Sequence, residues 1–140
     1  MTAQTISGVG GEVRCAIGND PAARSAGAAN GTGIDRQGFN SCVLVGKTGA
    51  VTGAPSAQSA DFKLQHSDTQ GGTYTDYTPS VPQPSPSGAV AQITAASTIK
   101  KRSIDLKTAK RWIRAVCTVA FTGGTSPTLF TDSTIVLGGA

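Results

Sequence analysis

A chain of 140 residues with 38% apolar residues, 14% charged residues and a net charge of +4 can build one hydrophobic core; it is too short for two domains with a linker. Eighteen glycines and seven prolines in a chain poor in strong helix formers argue for strands and turns. Recurring apolar runs argue against a disordered coil, and none approaches the roughly twenty residues that span a bilayer as a helix.

Met1 to Ile6 shows no basic region followed by a long apolar one, so the protein is expected to be made and folded in a cytoplasm. Glu12 to Gly18 alternates Val13, Cys15 and Ile17 against Glu12, Arg14 and Ala16, which predicts a half-buried strand with the first set inside. Gly18-Asn19-Asp20-Pro21 reads as a turn. Pro21 to Gly38 has Ile34 as its one large apolar residue and reads as a long loop or arm. Phe39 to Gly46 is short, nearly all apolar and flanked by glycine, as a strand buried on both faces is.

From Ala60, Phe62, Leu64 and His66 alternate with Asp61, Lys63 and Gln65; a turn over Ser67 to Gly72 and a β-prone run from Thr73 to Thr78 complete a hairpin. Pro79 to Gly88 holds four of the seven prolines and reads as an exposed extended loop. Ala89 to Ala95 and Ile99 to Leu106 predict short strands, and Lys107 to Lys110 one helical turn. Arg111 to Phe121 predicts a long strand with Ile113, Ala115, Cys117, Val119 and Phe121 on one face and Trp112, Arg114, Val116 and Thr118 on the other. A turn from Gly123 to Pro127 leads into a last strand from Thr128 to Leu137. The sum is a single all-β domain over residues 1–140, a jelly roll or β-sandwich of seven to eight short strands with long Gly/Ala- and Pro-rich loops.

Chemistry-bearing groups are sparse. His66 is the one histidine and reads as a packed or surface residue; Asp61, Asp68, Asp76, Asp105 and Asp132 are scattered. Cys15, Cys42 and Cys117 lie in apolar runs without CxxC spacing and are expected to be buried hydrophobes in a reducing compartment. Gly46-Lys47-Thr48-Gly49 lacks the upstream glycine and following helix of a phosphate loop, and a hairpin turn accounts for it better. The expectation is therefore a non-enzyme, with no catalytic, cofactor-binding or metal-binding residues and no cofactor.

Seven of the twelve cations fall between Lys100 and Arg114. Trp112 is the one aromatic beside them, which disfavours a nucleic-acid platform. The cluster is either a lysine-guarded strand edge or a surface for an acidic protein partner, with Lys100, Lys101, Arg102, Lys110 and Arg111 as candidate contacts.

Phe62-Lys63-Leu64-Gln65-His66-Ser67-Asp68, then Gly71-Gly72-Thr73-Tyr74-Thr75-Asp76, then Ile104-Asp105-Leu106-Lys107-Thr108-Ala109-Lys110-Arg111-Trp112-Ile113-Arg114, resemble the capsid cement (decoration) proteins of tailed bacteriophages, among them those of short-tailed Bordetella phages. The resemblance covers roughly residues 60 to 140. It implies a jelly-roll homodimer in the virion capsid that binds the outside of an HK97-type icosahedral shell and bridges major capsid proteins, with no nucleic-acid or membrane partner and no catalytic residues. Two alternatives stay open: another virion component, such as a head-completion or tail protein, and a carbohydrate-binding sandwich using Trp112, Tyr74 and Tyr77.

Overall fold

A computed structural model describes residues 13–77 and 91–139. Within them the chain is all β: β1 (Arg14–Arg24), β2 (Gly27–Asn30), β3 (Ile34–Asp35), β4 (Ser41–Thr52), β5 (Ala57–Ser67), β6 (Thr75–Asp76), β7 (Ala91–Ile93), β8 (Ile99–Asp105), β9 (Trp112–Thr122) and β10 (Thr128–Gly138). Two antiparallel sheets face each other. The first runs β1-β10-β4-β8; the second runs β2-β9-β5-β6, with β3 also on β9 and β7 also on β5. The β-sandwich or jelly roll expected from the strand spacing is what forms.

The period-2 pattern explains the core. β10 buries Leu129, Thr131, Ser133, Ile135 and Leu137 and turns the residues between them outward. β9 buries Ile113, Ala115, Cys117 and Val119 as its alternation predicts, and β5 buries Ala60, Phe62 and Leu64. These side chains interlock with Cys42, Leu44, Ile93, Ile104 and Leu106 in one continuous core. A buried polar tie also crosses between the sheets: Asn19 on β1 donates to the carbonyls of Ala29 (3.1 Å) and Ala115 (3.4 Å), and Ser133 Oγ donates to Asn19 Oδ1 at 2.7 Å.

Several expectations require correction. Pro21 to Gly38 is not a free arm: β1 runs through Pro21 to Arg24, and β2 and β3 then pair with β9. Register shifts between Ile17 and Asn19 and between Asn19 and Ala22 leave Asp20 and Pro21 outside the ladder, so the proline sits on an edge strand at a bulge. Gly46 to Gly49 is not a turn but the middle of β4. The chain reverses later, after a left-handed Gly53 (φ 81°).

The strand predicted over Glu12 to Gly18 forms from Arg14 on, with its faces exchanged. Ala16 and Gly18 point inward, while Cys15 and Ile17 point to solvent, Ile17 being 61% exposed. The cause is lack of room on the inner side: a Cβ on Gly18 would sit 2.4 Å from Ser133 Oγ on the neighbouring strand and 3.0 Å from the Ala115 Cβ on the facing sheet. Only small side chains fit that side. Cys15 is therefore exposed, contrary to expectation, while Cys42 and Cys117 are buried; all three are free thiols. β4 is likewise not buried on both faces, since Val43 and Val45 are only half-buried on its outer side.

Of the predicted second hairpin strand only Thr75–Asp76 pairs, and Lys107 to Lys110 makes a single tight turn closed by Ala109 N–H to Leu106 O (3.0 Å) in place of a helical turn. Pro79 to Gly88 lies outside the described residues.

Candidate docking surface

The two outer faces of the sandwich differ in kind. On the six-stranded sheet the outward side chains bind one another. Lys63 pairs with Asp76 at 2.9 Å, Gln65 Nε2 donates to Asp76 Oδ1, and Arg114 donates through Nε and Nη2 to Gln65 Oε1 at 2.9 and 2.7 Å. The Arg114 guanidinium also lies 4.3 Å from the Tyr74 ring centroid. Lys63, then Gln65, hold the Asp76 carboxyl below the usual carboxylate range. This face is largely polar and ion-paired, although Asp61 Oδ1 on it is buried without a hydrogen-bond partner among the described residues.

The outer face of the four-stranded sheet is apolar at its centre. Register places Cys15, Val136, Val43 and Ser103 in one row across β1, β10, β4 and β8, and Ile17, Thr134, Val45 and Lys101 in the next. A third row carries Asp132, Lys47 and Ile99, with the Lys47–Asp132 ion pair at 3.4 Å. Phe130 is 39% and Ile99 62% exposed at the margin of this face. The rows cross four strands, about 14 Å at ordinary inter-strand spacing. The apolar side chains of these rows are neighbours across the strands and are flanked by Lys101, Lys47 and Asp132.

The basic run separates into three settings. Lys100, Lys101 and Arg102 lie on β8, at the edge of the four-stranded sheet. Lys100 Nζ donates to Gln92 O at 2.9 Å; Lys101 is exposed and makes no ion pair among the described residues; Arg102 is half-buried and engaged. Lys110 and Arg111 follow the turn and are neutralised, Lys110 by Asp68 at 3.5 Å and Arg111 by Asp35 at 2.9 Å. Arg111 also stacks on Trp112, and its guanidinium holds Asp35 below the usual carboxylate range. Arg114 belongs to the opposite face. The five candidate contacts thus stand in two settings, Lys100, Lys101 and Arg102 along β8 and Lys110 and Arg111 in ion pairs after the turn.

His66 Nδ1 accepts from Lys110 N–H at 3.1 Å, and its ring tilts against Tyr77 at 5.1 Å between centroids. Burial, then the Lys110 charge, lower its pKa, against an opposing pull from Asp68. Tyr77 is buried; its hydroxyl donates to Asp105 O and shares a hydrogen bond with Thr108 Oγ1, so it is unavailable to stack on a sugar. Among the described residues no three His, Cys, Asp or Glu side chains could hold a metal ion, and no helix is long and apolar enough to cross a membrane.

The apolar rows were missed by sequence reasoning because they are assembled from three distant strands. Their local signal was present: Ala16 and Gly18 are small residues opposite large ones, and Val43 and Val45 occupy every second position of an apolar run.

No protein-family model matches the chain, and no curated protein does. Among solved structures it is similar to the SPBc2 prophage-derived protein YomS, at 8% identity over 89% of this chain and 93% of that one, with a TM-score of 0.39. It is also similar to a chain in the structure of infectious bursal disease virus Gx strain, at 14% identity over 89% of this chain and 31% of that one, with a TM-score of 0.37.

Proposed function

We propose that this protein is a viral structural component of the cement or decoration type, which binds the outside of an HK97-type icosahedral shell and bridges its major capsid proteins. The observation that carries the reading is the apolar outer face of the four-stranded sheet, where Cys15, Ile17, Val43, Val45 and Val136 stand together with no second layer over them among the described residues. A rigid sandwich presenting such a face gains affinity by removing apolar area from water, roughly 25 cal/mol per Å². A shell multiplies each modest contact over its lattice. The resemblance of residues 60 to 140 to phage cement proteins points the same way, and with it come the homodimer and the virion location.

The test is addition of the purified protein to undecorated shells. Saturable, stoichiometric binding with a raised disruption temperature supports the proposal; absence of binding overturns it. Labelling of the protein in whole particles separates a shell position from a head-completion or tail position.

A further inference from the structure

The four-stranded sheet has two edges, and they are built differently. β1 is broken by two register shifts with Pro21 between them, which blunts it as a pairing template. β8 pairs with β4 without interruption from Ser41↔Asp105 to Lys47↔Ile99 and forms a regular seven-residue edge. The marginal strands of the other sheet, β2, β3, β6 and β7, are only two to four residues long.

Two hydrogen bonds bracket β8 and fix the direction of its peptide groups. Thr48 N–H donates to Thr98 O at one end, and Leu106 N–H donates to Asn40 O at the other, both at 2.8 Å. An antiparallel ladder alternates, so the peptide groups of Lys100, Arg102 and Ile104 face β4 while those of Ile99, Lys101, Ser103 and Asp105 turn to the open edge. Asp105 O is taken by the Tyr77 hydroxyl. The edge-facing peptide groups of Ile99, Lys101 and Ser103 have no partner among the described residues.

The charge along this edge is equally open. Lys47, Lys63, Lys110 and Arg111 each pair with an aspartate, whereas Lys100 meets only a backbone carbonyl, and Lys101 and Lys107 have no side-chain partner among the described residues. Among the described residues, edge-facing backbone groups without a partner and lysines without a carboxylate partner therefore coincide at Ile99, Lys100, Lys101 and Ser103 and at Lys107 in the turn that follows.

We propose that the open edge of β8 receives an acidic, extended segment of a partner protein as an added strand, held by the peptide groups of Ile99, Lys101 and Ser103 and by carboxylates against Lys100, Lys101 and Lys107. Strand addition gives affinity through main-chain hydrogen bonds and specificity through side chains opposite one another. A second copy of β8 offers no carboxylate to Lys100 or Lys101, because antiparallel pairing about the strand centre sets Lys101 opposite Ser103, Lys100 opposite Ile104 and Arg102 opposite itself. The inference rests on the docking role proposed above but not on the identity of the shell.

The test uses the full chain and three capped eight-residue peptides: one with Glu at alternate positions between Val and Thr, the same peptide N-methylated at alternate residues, and a Lys-for-Glu version. Fluorescence anisotropy should show binding of the Glu peptide, with amide shifts concentrated at Ile99, Lys101 and Ser103. N-methylation on the pairing edge and the double variant Lys100→Glu, Lys101→Glu should each weaken binding at least tenfold. No binding of the Glu peptide overturns the proposal, as does binding of the N-methylated peptide equal to that of the Glu peptide, which leaves charge attraction alone. If Lys101→Thr makes the chain self-associate and no peptide binds, the lysines only guard the edge and the proposal fails. A chain that binds shells but not the peptide overturns this inference alone; one that binds the peptide but not shells overturns the cement reading alone.

Discussion

Gly46 on β4 lies directly under the ring of Phe62 on β5, so near that a Cβ at position 46 would stand 2.6 Å from the ring. The two residues belong to opposite sheets, and the absent side chain of one makes room for the fully buried ring of the other. This explains a glycine in the middle of a long strand, where its backbone entropy otherwise counts against it. Gly46→Ala should lower unfolding stability by about 1–3 kcal/mol through overpacking, read as a shifted urea midpoint with an unchanged slope. Phe62→Ala should cost about 3–5 kcal/mol by opening a cavity at the same place.

The Asn19 tie between the sheets should be as sensitive as an apolar core position. Asn19→Ala strands the Ser133 hydroxyl and removes a donor from the buried Ala29 and Ala115 carbonyls, at a cost of about 1–3 kcal/mol. Ser133→Ala removes one bond of the same network and should cost less. Equilibrium denaturation of the two single variants and the double variant measures the coupling.

The outer apolar face and the core should respond oppositely to charge. Ile17→Glu introduces a carboxylate at an exposed position and should change stability by less than about 1 kcal/mol while weakening shell binding at least tenfold. Ile113→Asp or Val119→Asp buries an unpaired charge and should abolish the folded state, seen as loss of the cooperative transition. Shell binding by Ile17→Glu equal to that of the parent would remove this face from the docking surface.

Acid should weaken the fold through His66. Its pKa in the folded protein lies below its ordinary value of 6.5, so the unfolded chain binds the proton more readily. The contribution to stability is present above about pH 6.5 and is lost as pH falls through the lower, folded value. Protonation also removes the Nδ1 lone pair that accepts from Lys110 N–H. His66→Gln can still accept that bond without titrating, and its melting temperature should fall less than the parent's between pH 7 and pH 5.

The three thiols should separate by reactivity. Cys15 is exposed and should react with a maleimide in the native state, whereas burial pushes the Cys42 thiol up to about 12 and also raises that of Cys117. One thiol should label promptly and the other two only on unfolding, counted by mass spectrometry.

Single-strand periodicity carried much of the fold. β10 was legible as a strand but not in its faces, since Thr131 and Ser133 point into the core and Phe130 and Val136 out of it. β5 and β9 were legible because each alternates over a long run, and alternation is a local property that burial on one face imposes on sequence. The basic run was visible for the same reason, being contiguous. Its division was not: the aspartates that neutralise Lys110 and Arg111 come from Asp68 and Asp35, far away in the chain, and only pairing of β3, β5 and β9 brings them near.

By itself, then, the sequence determined that the chain is β-rich, where its principal strands run and which alternating sides of β5 and β9 face the core. Tertiary structure decided which way β1 and β4 present their alternating faces, because the close approach of Gly18 to Ala115 and of Gly46 to Phe62 is a distance between sheets, with no counterpart in local pattern. It also decided which strand was left at an edge. Sheet order is set by long-range pairing, and that order turns Lys100, Lys101 and their neighbouring backbone groups from a charged run into an open edge of the sandwich.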